Sequence, residues 1–226
     1  LADRLGTKVD IGRVEIEFFK TLVLNDVYIE DLHKDTLLYS KKLKVDIGSF
    51  DLENHKIYIK NISLLETKAA LVKYAADDDF NYQFIIDAFE SKEKSTKKQT
   101  PWDVRVEEIM LINSDFAYKN EHDTLNTTGV NYFDLHTRAI NGKFKNLQID
   151  HDTIFASIDH LSTVEKSGFI LSSISSSRVK VNAVEMKATD LKIKTPHSDI
   201  ATDLTFAYSR YRDYYDFIDR VKMKAQ

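Results

Sequence analysis

From Lys8 to Asp31 the chain reads KVDIGRVEIEFFKTLVLNDVYIED, and apolar and polar residues alternate along it with slips of phase. Val9 and Ile11 share a side, Gly12-Arg13 intervenes, and Val14 and Ile16 resume the alternation. Leu22 and Leu24, then Asn25-Asp26, then Val27 and Ile29 repeat the arrangement. Alternation of this kind marks a strand with one buried face. The slip would throw the second half onto the wrong face unless one residue bulges from the ladder, which also bends and twists the strand. The stretch therefore predicts strongly curved, one-faced β-structure. Written apolar-x-apolar-x-x-apolar-x-apolar, the pattern returns at 9–16, 22–29, 45–52, 57–64, 104–111 and 179–186. The irregular spacing is not that of a fixed-period solenoid.

Taken in order, residues 1–5 read as a last helical turn stopped by Gly6. Strands are predicted at 9–18, 22–30, 36–39, 44–52, 57–66 and 68–74. Asp77-Asp78-Asp79 reads as an acidic cap for a helix over 80–89, whose Phe80, Phe84, Ile85, Ala88 and Phe89 fall on one face. A short apolar helix beside strands is expected to plug the open end of a sheet or to cover it. SKEKSTKKQTP (91–101) is polar and Lys-rich, a linker that could also contact anionic lipid. Further strands are predicted at 104–110, 114–118, 132–140 and 144–149, the last two around Asn141-Gly142, which reads as a hairpin turn. Strands at 153–162 and 168–171 follow, and the serines of 172–177 read as a strand end and loop. Strands at 178–186, 188–194 and 198–208 precede an amphipathic helix marked by Tyr211, Tyr214, Tyr215, Ile218 and Val221, capped near Ser209. The tally is about fourteen short strands and two or three short helices, so a mostly antiparallel sheet is expected.

The 226 residues suffice for one large β domain or two small ones. The reading divides them into an amino-terminal β segment (1–90), the polar linker (91–101) and a continuing β segment (102–226). Charged residues make up 30% of the chain, which suits a thin or elongated body with much surface. With Gly 6 and Pro 2, the turns are expected to be built on Asn, Asp and Ser. A net charge of −4 argues against a nucleic-acid partner. The absence of Cys excludes thiol catalysis, Cys-ligated zinc and disulfides. No run of 18 apolar residues is present. The chain starts at Leu1, so a preceding signal or anchor is expected to lie outside it.

Little in the sequence carries catalytic chemistry. Seven His residues include no HExxH pair, and the nearest approach to a metal site is His151-Asp152 with Asp159-His160, which turn chemistry and an exposed surface explain. There is no GxSxG, Walker or GxGxxG motif, and Glu107-Glu108 point to opposite faces of a strand. No enzyme, cofactor or metal is expected. The informative feature is the one-faced apolar lining, which the pattern alone leaves open between a sandwich core and an open, curled sheet whose apolar face is a groove for lipid tails. Hiding an acyl chain of about sixteen carbons from water is worth on the order of 12 kcal/mol, at ~0.8 kcal/mol per methylene. The residues expected to line such a groove are Val9, Ile11, Val14, Ile16, Leu22, Leu24, Val27, Ile29, Val45, Ile47, Ile57, Ile59, Ile62 and Leu64.

LGTKVDIGRVEIEFFKTLVLNDVYIEDLHKDTLLYSKKLKVDIG (5–48) resembles the amino-terminal segment of TamB-type proteins of the AsmA-like superfamily, in their Bacteroidetes-type form. HLSTVEKSGFIL (160–171) and DLKIKTPHSDIATDLTFAY (190–208) resemble later parts of the same family. The resemblance implies a periplasmic, elongated β-groove or taco, anchored in the inner membrane by a helix before Leu1. It implies phospholipid as the cargo moved between inner and outer membranes. It also implies a part in outer-membrane protein assembly with an Omp85-type partner, through a carboxy-terminal domain absent from this sequence. A second reading is a scaffold that offers free strand edges to outer-membrane protein clients. A third is a carbohydrate-binding sandwich using the tyrosines and Trp102.

Overall fold

A computed structural model describes residues 2–18, 20–51, 53–89, 103–122, 128–150, 152–209 and 222–225. One eleven-stranded sheet holds almost all of them, with its strands in chain order. The short helix α1 (Ala2–Leu5) leads into β1 (Val9–Glu17), β2 (Thr21–Glu30), β3 (Thr36–Asp51) and β4 (Lys56–Lys73). Helix α2 (Gln83–Phe89) precedes β5 (Asp103–Asn120) and β6 (Asp134–Asp150). Then come β7 (Thr153–Glu165), β8 (Ile170–Val181), β9 (Glu185–Lys194), β10 (Asp199–Ala207) and β11 (Lys222–Ala225). Every neighbouring pair is antiparallel except β4–β5, which run parallel from Lys56↔Asp103 to Lys73↔Asn120. The sheet is open: β1 and β11 are its two edges and do not pair with each other.

The strands are fewer and longer than the pattern suggested. Residues 36–52, 57–74, 104–118 and 132–149, each read as two strands, form single strands of 16 to 18 residues. The breaks were phase slips inside continuous strands. Backbone geometry shows how: Asp26, Glu66, Asn113 and Ala139 all take positive φ, between 47° and 52°. The ladder sets these slips side by side. Asn25↔Lys42 and Val27↔Ser40 bracket Asp26, and Leu65↔Ile112 and Lys68↔Asp115 bracket Glu66 and Asn113. The slips thus form one crease running across several strands. A second crease passes through Gly48, where the β3–β4 register shifts, through Asn146 (φ 54°) on β6 and through Asp190 (φ 50°) on β9.

Two expectations change with this geometry. In the β1–β2 ladder no lone residue bulges: pairing runs from Val9↔Ile29 to Glu17↔Thr21 without a register shift. Both strands slip together, at Gly12 and Asp26, and a Cβ on Gly12 would stand 3.1 Å from the Asp26 Cβ. Asn141-Gly142 is not a turn. Gly142 is buried in mid-strand between Leu111 and Leu161, and the Asn141 side chain accepts the Asn113 N–H (3.0 Å) and donates to the Ala139 carbonyl (3.0 Å). The pair supports the crease instead of reversing the chain.

Other details also depart from the pattern. The serines of 172–177 lie inside β8, and the window 179–186 spans the β8–β9 turn rather than a slip. The 80–89 helix is shorter, starting at Gln83. The linker 91–101, Trp102, Leu52, His151 and the helix expected over 211–221 lie outside the described residues. Gly6 does cap α1, at φ 68°, with its N–H on the Ala2 carbonyl (2.8 Å). The turns are Asx-like as expected: Asp31, Asp51, Asn120, Asn131 and Asn182 each accept a backbone N–H two to four residues onward.

Burial is thin. Among the described residues the buried large apolar side chains are Leu5, Val23, Val27, Leu37, Val106, Ile140, Leu191 and Tyr208, and most strand residues are only half-buried. The accessible surface is 14970 Å². A compact monomer of 26.1 kDa would expose roughly 10,600 Å². The excess is that of a single layer with one side uncovered.

Candidate functional site: the apolar face of the sheet

Cross-strand partners share a face, so the register traces the surface directly. One row runs from β1 to β10 as Val14, Leu24, Leu43, Leu64, Leu111, Gly142, Leu161, Ile174, Ile193 and Ile200. Its single gap is filled from the sides, since a Cβ on Gly142 would meet the Leu161 and Phe144 side chains at 3.0 and 3.2 Å. A second row runs Ile16, Leu22, Val45, Ile62, Ile109, Phe144 and Ile158. Beyond the first crease, Val9, Ile29, Leu38, Ala69 and Phe116 align. Beyond the second, Phe50, Ile57, Val104, Ile149, Ile154, Val181, Met186 and Phe206 align. These rows hold no charged residue. Nine steps of about 4.8 Å make the longest roughly 43 Å from end to end.

All fourteen residues singled out in the sequence fall on this face. Ile11 and Val27 pair across β1–β2, and Ile47 and Ile59 pair across β3–β4. The continuation through β5 to β10 was missed, because it depends on the β4–β5 register, which no local signal carries. The buried positions follow the creases. Val27, Ser40, Thr67, Ser114 and Ile140 lie along the first, with Ser40 and Thr67 hydroxyls 2.7 Å apart and the Thr67 N–H reaching Ser114 Oγ at 3.4 Å. Val106, Ser176 and Leu191 lie along the second.

The opposite face is mixed: it carries ion pairs, and also Val23, almost wholly buried in the row Glu15, Val23, Lys44, Ser63 and Met110. Lys44 holds Glu17 (2.8 Å), Lys143 holds Glu108 (2.7 Å), and Lys145 holds Asp159 (2.6 Å). The hydrogen bond and charge of Lys44 keep the Glu17 carboxyl below its ordinary range.

One end of the strands carries a polar network. Asp31 is fully buried; its Oδ1 accepts the His33 and Asp35 N–H groups (2.9 and 3.0 Å) and its Oδ2 accepts Asn81 Nδ2 (2.9 Å). The Tyr74 hydroxyl lies 2.8 Å from both Asp31 Oδ2 and Asp35 Oδ2. Burial, then the hydrogen bonds to Asp35 and Asp31, push that phenol well above its ordinary range. Asn81 exchanges hydrogen bonds with both backbone groups of Val72 and so continues the ladder where β3 has ended. Phe80 packs on Tyr118 with ring centroids 5.5 Å apart, and Arg4 of α1 donates to the Ala88 carbonyl of α2 (2.9 Å). Tyr118 lies two residues beyond Phe116, so this end of the apolar face is covered.

Among the described residues no three His, Asp or Glu side chains are placed to hold a metal ion. Asp159 is tied to Lys145, and His160 Nδ1 lies 3.5 Å from Ser173 Oγ. Among the described residues no helix is long and apolar enough to cross a membrane. Compared with known proteins, the chain matches no protein-family model and no curated protein.

Proposed function

We propose that the apolar face is the lining of a groove that conducts phospholipid tails across an aqueous space, with the rows as the direction of travel. The observation that carries this reading is the unbroken row from Val14 to Ile200. Supporting it, the two creases run alongside the rows, and the side chains buried at each crease belong to the apolar face. A sheet bent twice toward one face forms a floor, the Val14 and Ile16 rows, between two walls, the Val9 and Phe50 rows. A tail lying on that floor exchanges water for aliphatic wall at ~0.8 kcal/mol per methylene, and it can slide because each row repeats the same surface at each strand. No catalytic group or cofactor is needed for this. The resemblance to TamB-type proteins fits the same reading: a periplasmic segment, anchored in the inner membrane, serving traffic to the outer membrane.

Extraction and mass spectrometry of lipid from purified protein tests it. Wild type carries phospholipid, while Ile16→Arg and Ile59→Glu carry less and stop conduction in cells with the fold intact by circular dichroism. A wild type free of lipid, with both variants conducting normally, overturns it. The second reading, a scaffold for outer-membrane protein clients, draws on β1, an edge strand of nine residues with no neighbour on its outer side among the described residues. Crosslinks from β1 to unfolded clients, with none from the apolar rows to lipid, favour it.

A further inference from the structure

Along β1 the apolar side chains become steadily barer toward the β1–β2 turn: Ile11 is 40% exposed, Val14 56%, Ile16 71% and Phe18, in the turn itself, 91%. Nothing in folding asks for a phenylalanine at such a position. Its backbone is also costly, since φ is 51°, a region that bulky side chains rarely adopt. The turn is nevertheless firmly held: Lys20 N–H donates to the Glu17 carbonyl (3.3 Å), and Ile47 N–H on β3 donates to the Lys20 carbonyl (2.9 Å). The protein thus spends backbone strain to project an aromatic ring from a narrow, braced tip. The charges beside it are asymmetric. Glu17 is neutralised by Lys44 at 2.8 Å, and Lys20 is exposed.

We propose that the β1–β2 turn is a membrane-surface contact, with the Phe18 ring among the acyl chains and the Lys20 ammonium at anionic headgroups. A folded protein partner of ordinary size would cover about 800 Å² per side around a packed centre. Among the described residues the bare apolar side chains here are Ile16 and Phe18, flanked by the charges of Glu17 and Lys20, and they make no such plateau. A bilayer interface asks only for an apolar or aromatic wedge with a cation beside it. The position is also continuous with the proposed groove: Ile16, two residues before Phe18, is the first member of the Ile16 row. A tail leaving the bilayer beside Phe18 would meet Ile16 and then Leu22. The contact extends the conduction reading by naming where the sheet touches the membrane, but it rests on its own observation, the exposure gradient.

Unilamellar vesicles of phosphatidylethanolamine with about a third phosphatidylglycerol provide the probe. In a Trp102→Phe background, Phe18→Trp gives a single reporter, whose emission shifts to the blue with vesicles and is quenched by lipids brominated on the acyl chain. By co-sedimentation Phe18→Asp binds about tenfold or more weakly than wild type, and Lys20→Glu about fivefold or more weakly. Phe18→Ser serves as the control if the thermal midpoint of Phe18→Asp falls. An unshifted, unquenched reporter, or wild-type vesicle binding by both Phe18 variants, overturns the proposal. So does a Phe18-dependent protein crosslink without vesicle binding. Ile59→Glu, on the apolar face away from the tip, separates the two ideas: it keeps wild-type vesicle binding if the tip meets the membrane, whether or not it loses cargo.

Discussion

The strands of this sheet end differently at their two extremities. At one, the Asp31 network gathers the strand ends and Phe80 packs on Tyr118; at the other, around the β1–β2 turn, the apolar face stands bare. Both ends are built from the same alternation of apolar and polar residues. What separates them is what lies above the apolar side chains. At the covered end a buried carboxylate collects four donors and Phe80 packs on Tyr118. At the bare end Ile16 and Phe18 meet no such layer. Buried polar contacts therefore gather around Asp31, while at the β1–β2 corner the apolar side chains face solvent.

The largest effect expected from this contrast is at Asp31. Asp31→Ala removes the acceptor of the His33 and Asp35 amides and one of two acceptors each of Tyr74 and Asn81, and is expected to cost about 2 kcal/mol or more, read from the urea midpoint. Next comes a matched pair of truncations. Leu5→Ala, at the buried last residue of α1, is expected to cost about 2 kcal/mol or more. Phe18→Ala removes a larger side chain yet should change stability by no more than about 0.5 kcal/mol. Equal losses would mean that the bare corner is covered in solution, and the comparison would fail.

Gly142→Ala probes the floor between the two ends. Its Cβ would meet Leu161 at 3.0 Å and Phe144 at 3.2 Å. A loss of about 1 kcal/mol is expected, partly restored by Leu161→Val, with thermal unfolding as the readout.

The smallest effects are in pH dependence. The Tyr74 phenol is raised in the folded state, so its contribution is complete below the unfolded value near 10 and is lost as pH climbs above it. Tyr74→Phe is expected to flatten the alkaline side of the stability profile. Glu165 shows the opposite sign. Burial raises its carboxyl, but the hydrogen bonds from Ser167 and from the His136 and Lys166 backbones outweigh this and leave it lowered. Its contribution is present above about pH 4.3 and lost as pH falls through the depressed value, so Glu165→Gln should soften the acid limb.

Much of this molecule is legible along the chain. The alternation at Val9–Glu17 and Thr21–Glu30 specifies one-faced strands, and the slips at Gly12 and Asp26 mark where they bend. The scarcity of Gly and Pro points to the Asx-type turns at Asp31, Asp51 and Asn182. The fourteen apolar positions share a face because the alternation resumes after each slip in the phase that returns apolar side chains to the same side. Phe18 continues the alternation of Val14 and Ile16 and reads as the end of a strand over 9–18; that it stands in the turn, exposed, appears only once the neighbouring strands are set.

What the fold alone decided is which slips are turns and which are creases. Asn141-Gly142 has hairpin chemistry, yet it sits in mid-strand because Leu111 and Leu161 pair on either side of Gly142. The same holds for the strand order and the parallel β4–β5 seam, which joins the Leu64 and Leu111 segments into one row. A phase slip is a local event, and a chain can answer it by reversing or by bending. The choice depends on partners distant in sequence, whose register either continues past the slip or ends there.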